Sequence, residues 1–440
     1  MLYFIIAFFL ALVPFLVWPD LGDGIRTPKE IASIIGFIAI ISTALYNYRL
    51  KPFKNKWLLL FLLWCFLTTI FNSYGLPRLF GYADGDIHLF EGQLENGSIL
   101  ATPINIFAWK ELFYITLSIF TIFVISSVDF IEARTLKFKS FILSFKSLDH
   151  KELIRNIANV ITIILIVMSI YAIIQAIGLD NFFRASNPAI DHTAPFNTDS
   201  RWHFTHRIVG TIGNPSIFST WIAIVLPFSL YLKRWRGYIA FLLGVIAIAL
   251  AYSSTSIIAA FIGILFYFFM QYPKIITIMI LVGIILFSAC AIFFPIKAKI
   301  ENKLKDFFDT TGRLEVYKET WKILRQRPLL GMGLGSFEYL IGINPNIVKK
   351  LNDENWREMH NEYGQIWFTT GLIGLMLFMM FLFSVVWMFF KNITNESIVL
   401  ASSLLVLSVI ALTLFPFRIA PTSFYGAIET GLLMNITRRD

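Results

Sequence analysis

Runs of mostly apolar residues, each near the length of about 20 that a helix needs to cross a bilayer, recur from one end of the chain to the other. They predict twelve helices, near 2–19, 30–48, 57–72, 105–128, 156–179, 214–232, 237–252, 254–271, 275–295, 362–390, 397–415 and 420–436. The break at Tyr252-Ser253-Ser254-Thr255-Ser256 admits a kink in one long helix or a hairpin between two, and a single helix there would invert everything downstream. The longest interruption, residues 296–361, stops at Met359-His360-Asn361, where a new apolar run begins. The expected fold is an all-α polytopic membrane protein of about twelve spans in one domain, 1–440, with short helices in the large loop between helices nine and ten.

Composition closes off alternatives. In 440 residues, 57% are hydrophobic, 16% aromatic and only 15% charged, which no ordinary soluble domain shows. The first apolar run lacks a basic leader and a small-residue cleavage site, so it reads as a retained helix. Cys65 and Cys290 both sit inside apolar runs, against a disulfide framework or a cysteine-ligated metal.

Charge sets the sidedness. Basic loops at 49–56, 134–155 and 233–236 and the Arg438-Arg439 tail all become cytoplasmic if both termini are inside, together with Lys274 and Lys391. Loops 73–104, 180–213 and 296–361 then lie outside. The last of these breaks the rule, since it carries Arg313, Lys318, Lys322, Arg325, Arg327, Lys349, Lys350 and Arg357. Long loops translocate largely regardless of charge, so a solvated face accounts for individual lysines, while an anionic ligand accounts for the arginines. Tyr317, Trp321 and Leu324 share one helical face beside Lys318, Lys322 and Arg325, as in a helix lying on the membrane surface as a roof over a site.

Three segments carry candidate chemistry. His360 puts an imidazole at the mouth of a spanning helix, with Gly371 and Gly374 about three turns deeper where a neighbouring helix approaches. Arg207 leads into Gly210-Thr211-Ile212-Gly213-Asn214-Pro215, a tight start to a helix near the membrane. Asp309-Thr310-Thr311-Gly312-Arg313 caps a helix and places Arg313 in its first turn, where the dipole disfavours a cation. Guanidinium groups bind phosphate bidentately and stay charged, so two arginines facing one cavity suit a diphosphate, although a lipid headgroup or loop ion pair serves for either alone. His203 and His206 lack a carboxylate or cysteine partner at metal-ligand spacing.

In that order Arg207 with Gly210 and Gly213-Asn214-Pro215, Thr311-Gly312-Arg313 with Arg327-Pro328-Leu329-Leu330-Gly331-Met332-Gly333, and His360-Asn361 with Gly371 and Gly374 resemble the O-antigen ligase and Wzy-type polymerase superfamily. The likeness covers about 156–415, flanked by N-terminal helices 1–155 and a last helix and tail, 416–440; Ser253-Ser254-Thr255-Ser256 departs from the Ser-Arg pair many relatives carry. The resemblance implies a GT-C-like, metal-independent glycosyltransferase of the bacterial inner membrane, without cofactor or nucleic-acid partner. Its donor would be a glycan on undecaprenyl diphosphate at the periplasmic side, its acceptor a lipid A core or other glycan. In these terms Arg207 and Arg313 hold the donor diphosphate, His360 is the catalytic base, and Asn214, Asn361, Glu362, Glu358 and Tyr363 are supporting residues. Ligation onto lipid A core, repeat-unit polymerisation and transfer to protein share this chemistry. The chain ends at Asp440 without the additional periplasmic domain of many protein-directed relatives, which favours ligation. A secondary transporter or lipid-linked sugar flippase is the reading from another class, requiring internal repeats or mid-membrane charge. A cysteine introduced at Lys349 should be labelled by an impermeant reagent from the periplasm; protection there would invert the map.

Overall fold

A computed structural model of the chain describes residues 2–16, 26–53, 55–73, 101–133, 150–177, 208–274, 313–342, 356 and 358–438. The helices are α1 (Leu2–Phe15), α2 (Arg26–Asn47), α3 (Lys56–Ser73), α4 (Ala101–Ser127), α5 (His150–Ala176), α6 (Pro215–Tyr231), α7 (Trp235–Leu250) and α8 (Ser254–Gln271). They continue with α9 (Arg313–Leu324), α10 (Glu362–Lys391), α11 (Asn395–Ile410) and α12 (Ala420–Ile436). The predicted ninth span, 275–295, lies outside the described residues. Segments within α2, α4, α5, α8 and α10 are long and apolar enough to cross a membrane by length and composition, and α1, α3, α6, α7 and α11 contain shorter apolar helices. One small departure from an all-α fold is a ribbon of β1 (Tyr48–Leu50) with antiparallel β2 (Val128–Ala133), which joins the loops after α2 and α4.

The helices α6 and α12 are buried almost all round, which explains why their sequences show no polar face. Outer helices instead expose Phe4, Phe8, Leu63, Phe261 and Phe383, as lipid-facing surfaces do. Hydroxyl groups settle the ambiguous break. Ser219, early in α6, meets Ser256 at the start of α8 (2.8 Å), whereas Lys233, just past α6, reaches Gln271 at the end of α8 (3.5 Å). The helices α6 and α8 therefore run parallel. Gly237 at the start of α7 lies against the Ser229 carbonyl near the end of α6, so α7 runs the opposite way. Residues 235–271 thus form two antiparallel helices, turned at Tyr252 (φ 51°).

The basic loops collect at one end of the bundle. Arg438 donates to the Pro52 carbonyl (2.7 Å), Asn435 to that of Val128 (2.8 Å) and Tyr231 to Glu396 (2.9 Å). At the opposite end Thr211 donates to the Pro14 carbonyl (2.7 Å) and the Glu362 amide to that of Ala411 (2.8 Å), and there the candidate residues gather.

A broken helix builds that end. At Gly371 (φ 71°, ψ 179°) α10 loses its helical geometry, and the chain at 328–333 fills the gap. Met332 and Gly333 amides donate to the Phe368 and Thr369 carbonyls (2.7 and 2.9 Å). Leu372 and Ile373 amides donate to Pro328 and Leu329 (2.9 and 3.4 Å), and the Trp64 indole takes the Thr370 carbonyl (2.7 Å). Backbone groups freed by the break are thereby satisfied, as an apolar setting requires. Gly371 and Gly331 (φ 72°) touch backbone to backbone, so Gly371 serves this junction and not a neighbouring helix; Gly374 is the one that faces α3, at Trp64. A Cβ at Gly371 would fall 2.1 Å from the Leu329 carbonyl oxygen, at a φ that L residues avoid. Gly371→Ala should lower stability by more than about 2 kcal/mol, read as a fall in thermal midpoint in detergent. Gly426→Ala, which displaces only a Leu407 methyl, should change it much less.

Candidate functional site

The turn ahead of α10 is fixed by its own capping chemistry. Asn361 is the N-cap, its side-chain oxygen accepting from the Gly364 amide (2.9 Å), and Gln365 accepts from the Met359 amide (2.8 Å). Between them His360 adopts a left-handed backbone (φ 56°), which costs an L residue on the order of 1 kcal/mol and suits His better than most. Its ring lies edge-on between Trp356 (5.0 Å between centroids) and Phe415 (4.9 Å). Nδ1 is buried with no hydrogen-bond partner among the described residues.

Helix α9 docks onto this turn. Tyr317 donates to the His360 carbonyl (3.3 Å) and meets the Asn361 side chain, and Arg313, one turn earlier on the same face, projects its charge onto His360. Val316, Thr320 and Leu324 form the buried stripe, with Phe337, Ile341, Trp356 and Phe368 completing a small second core. The expected roof face is rotated from this: Trp321 is exposed and pairs with Trp367 at 5.6 Å. Burial, then Arg313, hold the His360 pKa down to about 3. Burial also lowers Arg313, and raises Tyr317 against the pull of Arg313. Arg327, at the head of the inserted segment, is pushed by burial to about 10.

An arginine also meets the residues flanking His360. Arg418, in the short 3-10 segment Pro416–Arg418, contacts Glu111 of α4 (2.6 Å), Glu358 (3.5 Å) and Glu362 (3.2 Å). Burial works against its charge, yet the three carboxylates hold its pKa above the ordinary guanidinium value. Glu111 also accepts from the Gly335 amide (2.7 Å), tying in the segment that follows the α10 insertion. These groups stand at the mouth of a cavity of about 890 Å³ that descends between the helices past Phe61, Phe378, Phe381 and Leu404. Glu358 and Glu362 line it, and neither His360 nor Arg313 does.

Arg313 and His360 are therefore brought together, while Arg207, His203, His206, Lys349, Lys350 and Arg357 lie outside the described residues. The described chain resumes at Ile208, in a loop held by Gln175, which accepts from the Gly210 amide (2.8 Å). Asn214 is engaged in capping α6, Glu358 and Glu362 bind Arg418, and Tyr363 donates to the Ser408 carbonyl (3.1 Å). Sequence reasoning missed Arg418 and Glu111; the available signal was one arginine between the last two apolar runs and one glutamate within the fourth. It also passed over Glu429, a buried carboxyl within α12 that contacts Ser403 (2.7 Å) and does not line the cavity.

Fold and site define a polytopic α-helical membrane protein in which Arg313, at the start of α9, is brought to His360 ahead of α10. The O-antigen ligase family model matches residues 239–379, from α7 through the break in α10, including Arg313, Arg327–Gly333 and His360. The match supports the O-antigen ligase and Wzy-type superfamily, a group of glycosyltransferase-like enzymes with lipid-linked glycan and acceptor partners. The match is narrower than the likeness seen in the sequence and does not reach Arg207. Comparison with curated proteins gives no match.

A histidine whose folded pKa lies below its unfolded value of about 6.5 takes up its proton first in the unfolded chain. Its contribution to stability is thus complete above that value and is lost as pH falls toward about 3. In ¹⁵N-histidine NMR, His360 should remain neutral through pH 5. Arg313→Ala should raise its midpoint while leaving it below the ordinary value, because burial is the larger cause. A wild-type midpoint near 6.5 would contradict this environment.

Proposed function

We propose that the chain is an O-antigen ligase-type glycosyltransferase. It moves a glycan from undecaprenyl diphosphate to a hydroxyl of lipid A core oligosaccharide at the periplasmic face of the bacterial inner membrane, with both termini cytoplasmic. The observation that carries this reading is the meeting of Arg313 and a neutral His360 at the mouth of α10, held by Tyr317. The clustering of the basic loops 49–53 and 233–236 with the tail at the other end supports the orientation.

In this mechanism the acceptor oxygen bonds to the anomeric carbon as the bond from that carbon to the diphosphate oxygen breaks. The electron pair leaves with the diphosphate, whose growing charge is taken by Arg313 and Arg207. The hydroxyl proton passes to the imidazole of His360, and a single displacement inverts the anomeric centre. A resting pKa near 3 makes a weak base. A diphosphate paired with Arg313 cancels that cation's field at the imidazole, so donor binding raises the basicity of His360 when it is needed. No step calls for a metal.

Transfer to a growing polysaccharide or to protein uses the same groups. The polar-mouthed cavity inside the bundle favours, as second reading, a flippase for lipid-linked sugar. A reconstituted assay with purified protein in lipid, undecaprenyl-diphosphate glycan and lipid A core supplied or withheld separates these. Product should form only with lipid A core and fall by about 10²–10⁴ in His360→Asn, which keeps the left-handed backbone accessible. Arg313→Ala should weaken donor engagement and slow transfer, with Arg313→Lys restoring charge but not bidentate geometry. Donor lengthening without acceptor means polymerase, and donor translocation without a covalent product means flippase. Turnover undiminished in His360→Asn would sink the base assignment.

A further inference from the structure

At the end of the bundle opposite His360, the turn between α6 and α7 reads Lys233-Arg234-Trp235-Arg236, and all four residues are exposed. Lys233 reaches the neutral Gln271 side chain (3.5 Å) and the face of Tyr272 (5.9 Å to the ring centroid), and Arg236 lies over Trp235 (5.4 Å). Among the described residues no carboxylate pairs with Lys233, Arg234 or Arg236, and the first turn of α7 holds no acidic residue. Other cations at the same end are engaged: Lys51 pairs with Asp129 (3.4 Å), and Arg438 donates to the Pro52 carbonyl (2.7 Å). The turn is therefore a cluster of three positive charges without a counter-charge.

Its backbone is strained as well. Lys233 follows the last turn of α6 with a left-handed conformation (φ 49°), at a place where glycine is the usual residue. Four consecutive residues span at most about 11 Å, so all three cationic side chains reach one phosphate-sized anion. Beyond the cations the exposed face of α7 continues as Trp235, Tyr238, Ile239 and Leu242, an aromatic pair followed by aliphatics, the order in which a membrane interface gives way to hydrocarbon. Helix α7 packs on α5 and α6, and α8 on α6 and α11, so the arms of the hairpin meet each other little, and α8 also keeps Phe261 and Phe269 exposed.

We propose that this turn is a binding site for an anionic glycerophospholipid. Its phosphate is held by Lys233 and by the forked donors of Arg234 and Arg236, and its acyl chains lie along the exposed face of α7. Charge complementarity selects the headgroup: the three cations favour a lipid of net negative charge, whereas a zwitterionic headgroup brings its own ammonium into the cluster. The apolar stripe selects a lipid over a soluble anion, because a phosphate without chains gains nothing from Tyr238, Ile239 and Leu242. The site is remote from the Arg313–His360 pair, so its occupancy is independent of the transfer reaction.

The test uses the full chain in phosphatidylcholine nanodiscs doped with a dilute diazirine-tailed probe, either phosphatidylglycerol or phosphatidylcholine of identical chains. After photolysis, mass spectrometry maps the labelled peptides. The phosphatidylglycerol probe should label α7 and α8 about 10²-fold more strongly, at about fivefold for each basic side chain near an anionic lipid. Each of Lys233→Gly, Arg234→Gln and Arg236→Gln should cost about fivefold of that preference, and the triple variant should abolish it. Lys233→Gly also suits the left-handed backbone, so its thermal midpoint in pure phosphatidylcholine should not fall, and lost preference in that variant is not lost fold. Removing three cations at the other end, with Lys318→Gln, Lys322→Gln and Arg325→Gln together, should leave the preference unchanged. Equal labelling by the two probes, a preference that survives the triple variant of the turn, or one that falls as far in the α9 variant would overturn the proposal. Displacement of the probe by millimolar inorganic phosphate would do so too, since it would make the turn a soluble-anion site.

Discussion

Everything at the end of the bundle that holds His360 depends on a backbone hydrogen-bond requirement. A helix interrupted within an apolar span must have its freed amides and carbonyls paired, since no water is at hand to take them. In α10 the break at Gly371 is filled by residues 328–333 and the Trp64 indole. That filling fixes the segment following α9, and α9 in turn carries Arg313 and Tyr317 down onto the His360 turn. Helix α9 is therefore anchored to α10 through main-chain bonds of the segment that follows it. The positive-φ glycines of Leu330-Gly331-Met332-Gly333 and Gly371-Leu372-Ile373-Gly374 are two halves of one joint.

Arg418 supplies the second constraint. Its contacts to Glu358 and Glu362 fall two residues to either side of His360, while Phe415, three residues before it, packs on the imidazole. A left-handed residue persists only when its surroundings over-determine it, and here caps, an ion cluster and two aromatic edges do so together. Removing one partner of such a buried cluster leaves uncompensated charge, a cost of about 3–5 kcal/mol. The turn is thus held from one side by α9 and from the other by the ion cluster of Arg418.

Much of this was legible in the chain. Hydropathy gave the apolar helices among the described residues, because an apolar run of spanning length has few alternatives in a membrane, and Asn214-Pro215 and Asn361 marked helix starts by the ordinary chemistry of capping. His360 and Arg313 stood out because charge and imidazole are rare near such runs. The hairpin at Tyr252 was not decidable from pattern, since a turn and a kink use the same serines; it became clear only from which hydroxyls meet across α6 and α8. The roles of Gly371, Glu362 and Arg418 were hidden for a related reason. Each is set by a partner far away in sequence, and local spacing encodes neither the inserted segment nor the carboxylate that an isolated arginine will find. Trp321 misled because a three-to-four-residue periodicity names a face without saying which neighbour it meets.

The distance between Glu111 and its partner also bears on how the chain is made. Glu111 sits in the fourth helix and Arg418 just ahead of the last, so the glutamate emerges about 300 residues earlier, which at usual elongation rates is on the order of tens of seconds. For that interval a carboxyl destined for the interior has no arginine to meet. The helices around it must wait, loosely associated, until synthesis delivers the cation. The end of the bundle that holds His360 and Arg313 is consequently completed only after Arg418 has been made.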